Sequence, residues 1–368
     1  MATDHFVGAF RSNKLAITLL SLANRNLISI KRSGPQAHEL NRVRVRVHVS
    51  GVGRGASVSL TALFNKNGRY VNCEKALIRP IISPVITSNT QISAADVARH
   101  YDELDAFYRD IWGEHVHHGF WLRGDESQAL AVRQLVALVA SEAHIGAGTR
   151  VVDIGCGYGA TARLLAEEGG ANVNGITISP AQHALAIERS LGRENPRFIL
   201  GDWLSNELRD DTFDAAIAIE SSEHMADKPR FFAQAHRVLR DGGRFVICAW
   251  LACEQPTAKQ ERWLIEPICR EGQIPHLGSA SDYRRLAEAA GFKIERVQDV
   301  TRGIARTWPL VLRTSLLNLA HKPGYVRFLF NRHARNRIFA LTIVRLWLAF
   351  RSGAMRYGVF TLVKASRL

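Results

Sequence analysis

Val151-Val-Asp153-Ile-Gly155-Cys-Gly157-Tyr-Gly159 decides how this 368-residue chain is read. A short apolar run ending beside a carboxylate passes straight into three glycines spaced two apart, and helical periodicity resumes at Ala160. Glycine takes the backbone conformations of a tight turn without steric cost, so such a turn brings a ligand close to backbone N–H groups at the start of a helix. A dinucleotide site would instead want G-x-G-x-x-G with an acidic residue about 20 positions further on. Taken alone, the turn is a weak signal.

Working outward, short apolar strands alternate strictly with helices: Arg150 to Ile154 with a helix from Ala160, Asn172 to Ile178 with a helix from Pro180, Phe198 to Leu200, Phe213 to Glu220 with a helix from Lys228, and Gly243 to Trp250. This order predicts a parallel, doubly wound α/β sheet. Helices from Lys259 and Ser281 follow, then a strand over Ile294 to Val300, a helical tail from Thr307 to Phe350 and a closing strand over Tyr357 to Lys364. Upstream, Ser93 to Asp96 fits a capping start, and Tyr101, Leu104, Phe107, Tyr108 and Ile111 recur at helical spacing. A second amphipathic helix covers Ser127 to His144.

The formal charge of +14 first points to nucleic acid, but it divides unevenly. Residues 1–95 hold 13 Lys/Arg against 3 Asp/Glu, residues 96–300 hold 22 against 31, and residues 301–368 hold 13 against none. The body that carries the motifs is acidic, which is not the even basic face of a nucleic-acid domain. Five scattered cysteines without C-x-x-C or Cys/His spacing indicate a reducing compartment and no structural metal. The most apolar run, Ile338 to Phe350, is broken by Thr342 and Arg345 and is too short to cross a bilayer. Leu15 to Ala23 has the apolarity of a signal segment but no clean processing site after it. The expected organisation is a poorly ordered basic extension over 1–92, with one alternating strand at Arg42 to Val49, then cap helices over 93–148, a cofactor-binding core over 149–250, and a substrate and lid region over 251–368. Acid-poor residues 1–92 also permit a transit-peptide reading.

With Asp153 on the strand before the glycines, the loop resembles the D-x-G-x-G-x-G loop of class I S-adenosylmethionine (SAM)-dependent methyltransferases. That resemblance implies a Rossmann-like, doubly wound seven-stranded sheet with N-terminal helices and a C-terminal helical lid. It implies SAM as cofactor, with Asp153 holding the ammonium and Gly155, Gly157 and Gly159 making room for the amino-acid tail and ribose. Gly175-Ile-Thr177-Ile-Ser179-Pro180-Ala-Gln182 is similar to the tocopherol methyltransferase and cyclopropane fatty acid synthase branches, where Thr and Gln side chains replace the usual acidic residue on the ribose hydroxyls. This carries the ribose role to Thr177 and Gln182. Ser179 and Pro180 themselves read as a helix N-cap and first-turn proline. Asp202 and Trp203, after the third strand, match the family's adenine site. Tyr101 matches the tyrosine that closes over the methionine end of the cofactor in the cyclopropane branch.

Glu220-Ser-Ser-Glu223-His224-Met225-Ala-Asp227-Lys228 resembles tocopherol methyltransferases, and the Glu220/His224 pair is similar to the catalytic pair of benzylisoquinoline alkaloid N-methyltransferases. By that match Glu220 and His224 orient the nucleophile and accept its proton, a nearby carboxylate raising the basicity of the imidazole. His115-Val-His117-His118-Gly119-Phe120-Trp121 is typical of the tocopherol group and reads as active-site wall or loop. The resemblance covers residues 93 to 364. It implies methylation of O, N or C on a small aromatic or prenylated, hydrophobic acceptor; the cysteine usage points to the cytoplasm. One rival is cyclopropane-synthase-type methylation of a lipid alkene; another is a nucleotide-binding module without catalysis. Arg327, Arg332, Arg335, Arg337 and Arg345 among Phe and Leu residues fit a lid helix, or peripheral contact with an anionic membrane. The final Ser366-Arg367-Leu368 resembles a peroxisomal address, relevant only to a eukaryote.

Overall fold

The computed structural model describes the backbone of residues 28–31, 41–49, 56–64, 70–80, 86–87, 92–330 and 339–366, and the side chains of residues 92–327 and 341–366. The chain divides into two units, residues 1–84 and 85–368. In the first, strands Ile28–Lys31, Asn41–Val49, Ala56–Phe64 and Tyr70–Pro80 pair as an antiparallel four-stranded sheet. The second of them coincides with the alternating stretch read from Arg42 to Val49. Leu15 to Ala23, Arg332, Arg335, Arg337, Arg367 and Leu368 lie outside the described residues.

The second unit is built on seven strands: β1 (Arg150–Ile154), β2 (Asn172–Thr177), β3 (Arg197–Leu200), β4 (Phe213–Ile219), β5 (Leu239–Ala252), β6 (Phe292–Asp299) and β7 (Met355–Lys364). Their order across the sheet is β6-β7-β5-β4-β1-β2-β3. The five strands β1 to β5 are mutually parallel, as the alternation predicts. Only β7 departs from it: it lies antiparallel between β5 and β6, which share the direction of the other strands. The chain inserts its helical tail between β6 and β7, so β7 re-enters the sheet from the opposite end and is free of the right-handed crossover that makes successive strands parallel.

Residues of the central strands alternate between two cores. Val151, Ala215, Ile217, Val246 and Cys248 belong to one, and Val152, Ala216, Ala218, Phe245 and Ile247 to the other. Successive strand side chains point to opposite faces, so the near-continuous apolar runs are what a sheet covered on both sides requires. Several helix starts are set by capping side chains. Ser93 and Asp96 form a capping box for α1 (Ala94–Glu103), followed by α2 (Asp105–Trp112). Ser127 caps α3 (Gln128–Glu142), and α4 (Ala160–Glu167) opens on Gly159. Ser179 caps α5 (Pro180–Glu188) with proline in the first turn, as expected, and Asp227 caps α6 (Lys228–Val238). Each such cap stabilises its helix by about 1 kcal/mol. Then follow α7 (Ala280–Ala289), α8 (Thr307–His321), α9 (Pro323–Phe330) and α10 (Phe339–Arg351). Among the described residues, no helix is long and apolar enough to cross a membrane.

Candidate active site

The strand order reverses between β1 and β4, and the loops at the C-terminal ends of β1 to β4 open a cleft there, as expected for a ligand site in an open α/β sheet. A pocket of about 820 Å³ lies along these ends, and nine of the eleven site residues expected from sequence line it: Tyr101, Gly155, Gly157, Thr177, Gln182, Asp202, Trp203, Glu220 and His224. Asp153 and Gly159 are not part of this lining. Both Gly155 and Gly157 have positive φ, 77° and 55°. A Cβ on Gly155 would overlap Ser221, whereas one on Gly157 would meet nothing closer than Gln182 Nε2 at 4.0 Å, so Gly157 is the position that gives its space to the pocket. Gly159 instead sits against Phe198.

Thr177 Oγ1 donates to Gln182 Oε1 at 3.0 Å, which joins the end of β2 to the first turn of α5 at the pocket wall. Asp102 from α1 reaches the same turn: its Oδ1 accepts from Ser179 Oγ at 2.6 Å and from Ala181 N at 3.3 Å. Asp202 caps the following turn through Leu204 N at 2.9 Å, and Trp203 donates from its indole to Phe231 O at 3.2 Å. Trp203 is therefore core and pocket wall together. Asp153 is fully buried, and its Oδ2 has no hydrogen-bond partner in the structure. Burial pushes its carboxyl up to about 7.

A second cavity, of about 640 Å³, lies beyond Tyr101 and is lined by Tyr108, Trp112, Trp250 and Trp308 with Ile268, Ile274, Ile343 and Leu346. Tyr101, Val116, Glu220 and His224 line both cavities and form the junction between them. Glu223, which sequence reasoning passed over, also lines the second; its carboxylate accepts from Trp250 N and from Ser222 Oγ at 3.1 Å. Its place in the quoted E-S-S-E-H string was the available signal.

At the junction the geometry differs from the expected Glu220/His224 pairing. Glu220 binds His118 instead: its Oε1 accepts from His118 N at 2.7 Å and from Tyr357 Oη at 2.7 Å, and its Oε2 lies 2.9 Å from His118 Nδ1 and 3.0 Å from Trp250 Nε1. Burial acts to raise its pKa, but the His118 charge and hydrogen bonds outweigh it and hold the carboxyl below the usual range. Glu220 also has φ of 53°, a left-handed backbone that a non-glycine residue enters only at a cost. His224 Nδ1 faces Gln273 O at 3.0 Å and therefore donates, which leaves Nε2 to accept from Tyr101 Oη at 2.9 Å. Burial lowers His224 to about 4, so no carboxylate raises its basicity and the ring is neutral near pH 7. Of the three histidines before Gly119, His115 and His117 lie 3.4 and 3.3 Å from Thr161 Oγ1. No metal-holding cluster of His, Cys, Asp or Glu occurs among the described residues.

The donors fit SAM. An orphaned buried carboxylate suits its ammonium, Asp202 and the Thr177–Gln182 pair offer acceptors and donors for its nucleoside, and Glu220 adds a second carboxyl group to the lining of a site for a cationic sulfonium.

Comparison with known proteins agrees. A family model described as mycolic acid cyclopropane synthetase matches residues 88–322. The tocopherol O-methyltransferase of Arabidopsis thaliana is 30% identical over 299 residues, covering 75% of this chain and 84% of the relative. The 2-methyl-6-phytyl-1,4-hydroquinone methyltransferase of Synechocystis sp. is 27% identical over 292 residues, covering 76% and 91%. A crystal structure of the mycolic acid cyclopropane synthase CmaA1 complexed with SAH and CTAB superposes with a TM-score of 0.64 at 24% identity, over 75% of this chain and 100% of that one. The chain belongs to the mycolic acid cyclopropane synthetase family and is a SAM-dependent methyltransferase of small molecules.

Proposed function

We propose that this enzyme methylates a phenol or hydroquinone that carries an apolar chain. The observation that supports this reading is the pair of cavities meeting at Tyr101, Val116, Glu220 and His224: the first matches the cofactor residues, and the second is aromatic and aliphatic enough for a prenylated ring. The names of the two relatives, a tocopherol and a phytyl-hydroquinone methyltransferase, point the same way.

When bound, SAM supplies an activated methyl group for in-line displacement. The chain's own contribution is alignment and exclusion of water. In this reading Asp153 holds the ammonium, Gly157 admits the amino-acid end, Thr177 and Gln182 hold the ribose, and Asp202 and Trp203 take the adenine. Gly155 and Gly159 set the turn by close packing. Tyr101, its hydroxyl directed by His224, closes the junction, while Glu220 keeps a fixed negative charge beside it. His224 then serves to position Tyr101 and the acceptor.

A panel assay tests this: methyl transfer from labelled SAM to tocopherols, 2-methyl-6-phytyl-1,4-hydroquinone, simple phenols, amines and unsaturated acyl chains. Product is expected on the phenols, with kcat/KM reduced at least tenfold in His224→Ala. Methylation confined to acyl chains would select the cyclopropane-type alternative, and no SAM binding at all would remove the enzyme reading.

Peripheral membrane contact through the basic tail is part of the same proposal. It is supported by Leu316, Leu317, Leu341 and Leu348, all exposed on α8 and α10, two helices whose opposite faces reach the second cavity through Trp308, Ile343 and Leu346. Cytoplasmic placement is supported by four described cysteines free of disulfides.

A further inference from the structure

The short helix Glu266–Glu271 ends against the second cavity in an uncommon turn. Ile274 N donates to Cys269 O at 2.8 Å, the closing bond of a Schellman motif, whose left-handed position is usually a glycine. Here that position is Gln273, with φ of 51°, while Gly272 stands one residue earlier with an ordinary φ of −86°. A left-handed residue with a side chain costs free energy and persists only where its surroundings hold it. What the turn delivers is a carbonyl: Gln273 O accepts from His224 Nδ1 at 3.0 Å. Since a carbonyl cannot donate, Nδ1 carries a proton, and Tyr101 Oη stands 2.9 Å from the other ring nitrogen.

On the other side of the turn, Glu271 holds the roof of the cavity. Its side chain is 7% exposed, its Oε2 accepts from Thr342 Oγ1 at 2.7 Å, and its Oε1 pairs with Arg345 and lies 3.5 Å from Arg270 Nη2. Thr342 and Arg345 stand three apart on one flank of α10, and Thr342 lines the cavity together with Ile343 and Leu346. Residues 301–368 contain no acidic residue, so α10 has no carboxylate of its own to offer Arg345. The partner comes from 74 residues earlier in the chain. A carboxylate this far buried needs such partners, and bonds to an ionised donor are roughly twice as strong as neutral ones. Three consecutive residues therefore serve one cavity: Glu271 grips its roof, Gly272 forms part of its wall and Gln273 holds the imidazole at the junction.

We propose that Glu271 is a positioning residue for the acceptor half of the reaction: through the turn 271–273 it ties the α10 roof to the orientation of His224, and so to Tyr101. Displacing the roof then disturbs the imidazole, and an acceptor packed under Thr342, Ile343 and Leu346 reinforces the alignment that its own methylation needs. Asp153, Thr177, Gln182 and Asp202 do not line the second cavity, so the latch acts on the acceptor and leaves SAM binding alone. Arg345, read from sequence as a lid or membrane residue, belongs by this assignment to the roof. The inference rests on the methyl-transfer reading of this junction and adds to it what keeps the junction aligned.

The test uses the full-length enzyme, with His224 read by nitrogen NMR of histidine-labelled protein and assigned by the loss of its signals in His224→Asn. Burial holds the pKa of this ring down to about 4, so near pH 7 the ligand-free wild type is expected to show the neutral Nδ1–H tautomer. Glu271→Gln keeps the shape and an oxygen for Thr342 but removes the charge that holds Arg345. It is expected to let the two tautomers interconvert, which averages the nitrogen signals. With 4-heptylphenol as acceptor probe, calorimetric affinity should fall at least fivefold and kcat about tenfold, while SAM affinity stays within about twofold. Arg345→Met enters the same latch from its partly exposed side and should reproduce these effects, which keeps the inference falsifiable where Glu271→Gln fails to fold. The double substitution is expected to lose no more than the larger single loss, because both remove one interaction. Arg345→Lys, which retains a cation, should recover most of that loss. An unchanged His224 tautomer in both single variants would overturn the proposal, as would additive losses or a SAM affinity that falls as far as that for the phenol. Failure of the methyl-transfer reading is separate: it shows as no SAM binding by the wild type, and the His224 signals, which need no ligand, still decide the role of Glu271.

Discussion

Asp153 combines full burial, an unpartnered oxygen and a carboxyl raised to about 7, all from the same cause. Its folded pKa lies above the unfolded value near 3.8, so the stability it contributes is present at low pH and is lost as pH rises through about 7. The ionised group then costs the ligand-free fold at most about 4 kcal/mol. Asp153→Asn is therefore expected to raise the Tm of the ligand-free enzyme by several degrees at pH 8 and by little at pH 5, as read by scanning calorimetry. The same substitution should weaken SAM binding at least tenfold, since it removes the proposed partner of the ammonium. In the wild type, SAM uptake below pH 7 should release a proton, visible as a binding enthalpy that varies with the ionisation enthalpy of the buffer. A buffer-independent enthalpy, with unchanged affinity in Asp153→Asn, would remove Asp153 from the cofactor site. Asp153 was legible in the sequence because its loop is local: strand, carboxylate and glycines are contiguous. Glu220 was legible as a site residue for the same reason, but its partner was not, because His118 stands 102 residues away and only the folded sheet brings it to the end of β4.

Among the elements, α1 and α5 are in direct contact. Asp102 on α1 binds Ser179 and Ala181 at the N-terminus of α5, where a carboxylate also meets the favourable end of the helix dipole. One residue earlier, Tyr101 reaches the junction with His224. Asp102→Ala is expected to lower stability by about 1–2 kcal/mol in denaturant unfolding, the range for losing a charged hydrogen-bond partner at a helix start. It should also raise the KM for SAM several-fold while kcat changes less, because Tyr101 keeps its bond to His224 but loses its register against the cofactor cleft. A stability loss without any change in KM would make the contact purely structural. The strands, caps and turns of this region were readable because each is written in neighbouring residues: Ser179-Pro180 announces the start of α5 wherever it sits. The antiparallel insertion of β7 was not readable, since strand direction depends on the end from which the chain re-enters the sheet, and nothing in Met355–Lys364 itself records that.

For the whole molecule, the uneven charge is the property that connects the fold to its surroundings. Residues 301–368 contain 13 basic residues and no acidic one, while the body that holds the cofactor site is acidic. On the described part of that segment a shallow apolar groove is lined by Pro309, Leu312, Arg313, Leu316, Leu317 and Trp347, and Arg302, Arg306, Arg313, Lys322 and Arg351 are exposed on the same segment. Exposed leucines among cations match an anionic bilayer on both counts, as each basic residue close to such a surface adds about 1 kcal/mol and each buried leucine adds part of its about 1.5–3 kcal/mol. The arrangement would also shorten the path of a prenylated acceptor, because α8 and α10 face the second cavity from their inner side. The enzyme is expected to sediment with phosphatidylcholine vesicles containing phosphatidylglycerol and not with phosphatidylcholine alone, and salt should weaken the interaction, since the Debye length contracts to about 3 Å at 1 M. The double substitution Leu316→Ser and Leu317→Ser should reduce vesicle affinity at least tenfold while methylation of a detergent-dispersed phenol stays near that of the wild type. Absence of vesicle binding, or a concentration-dependent dimer in ultracentrifugation that the same substitutions abolish, would assign this face to a second copy of the chain instead.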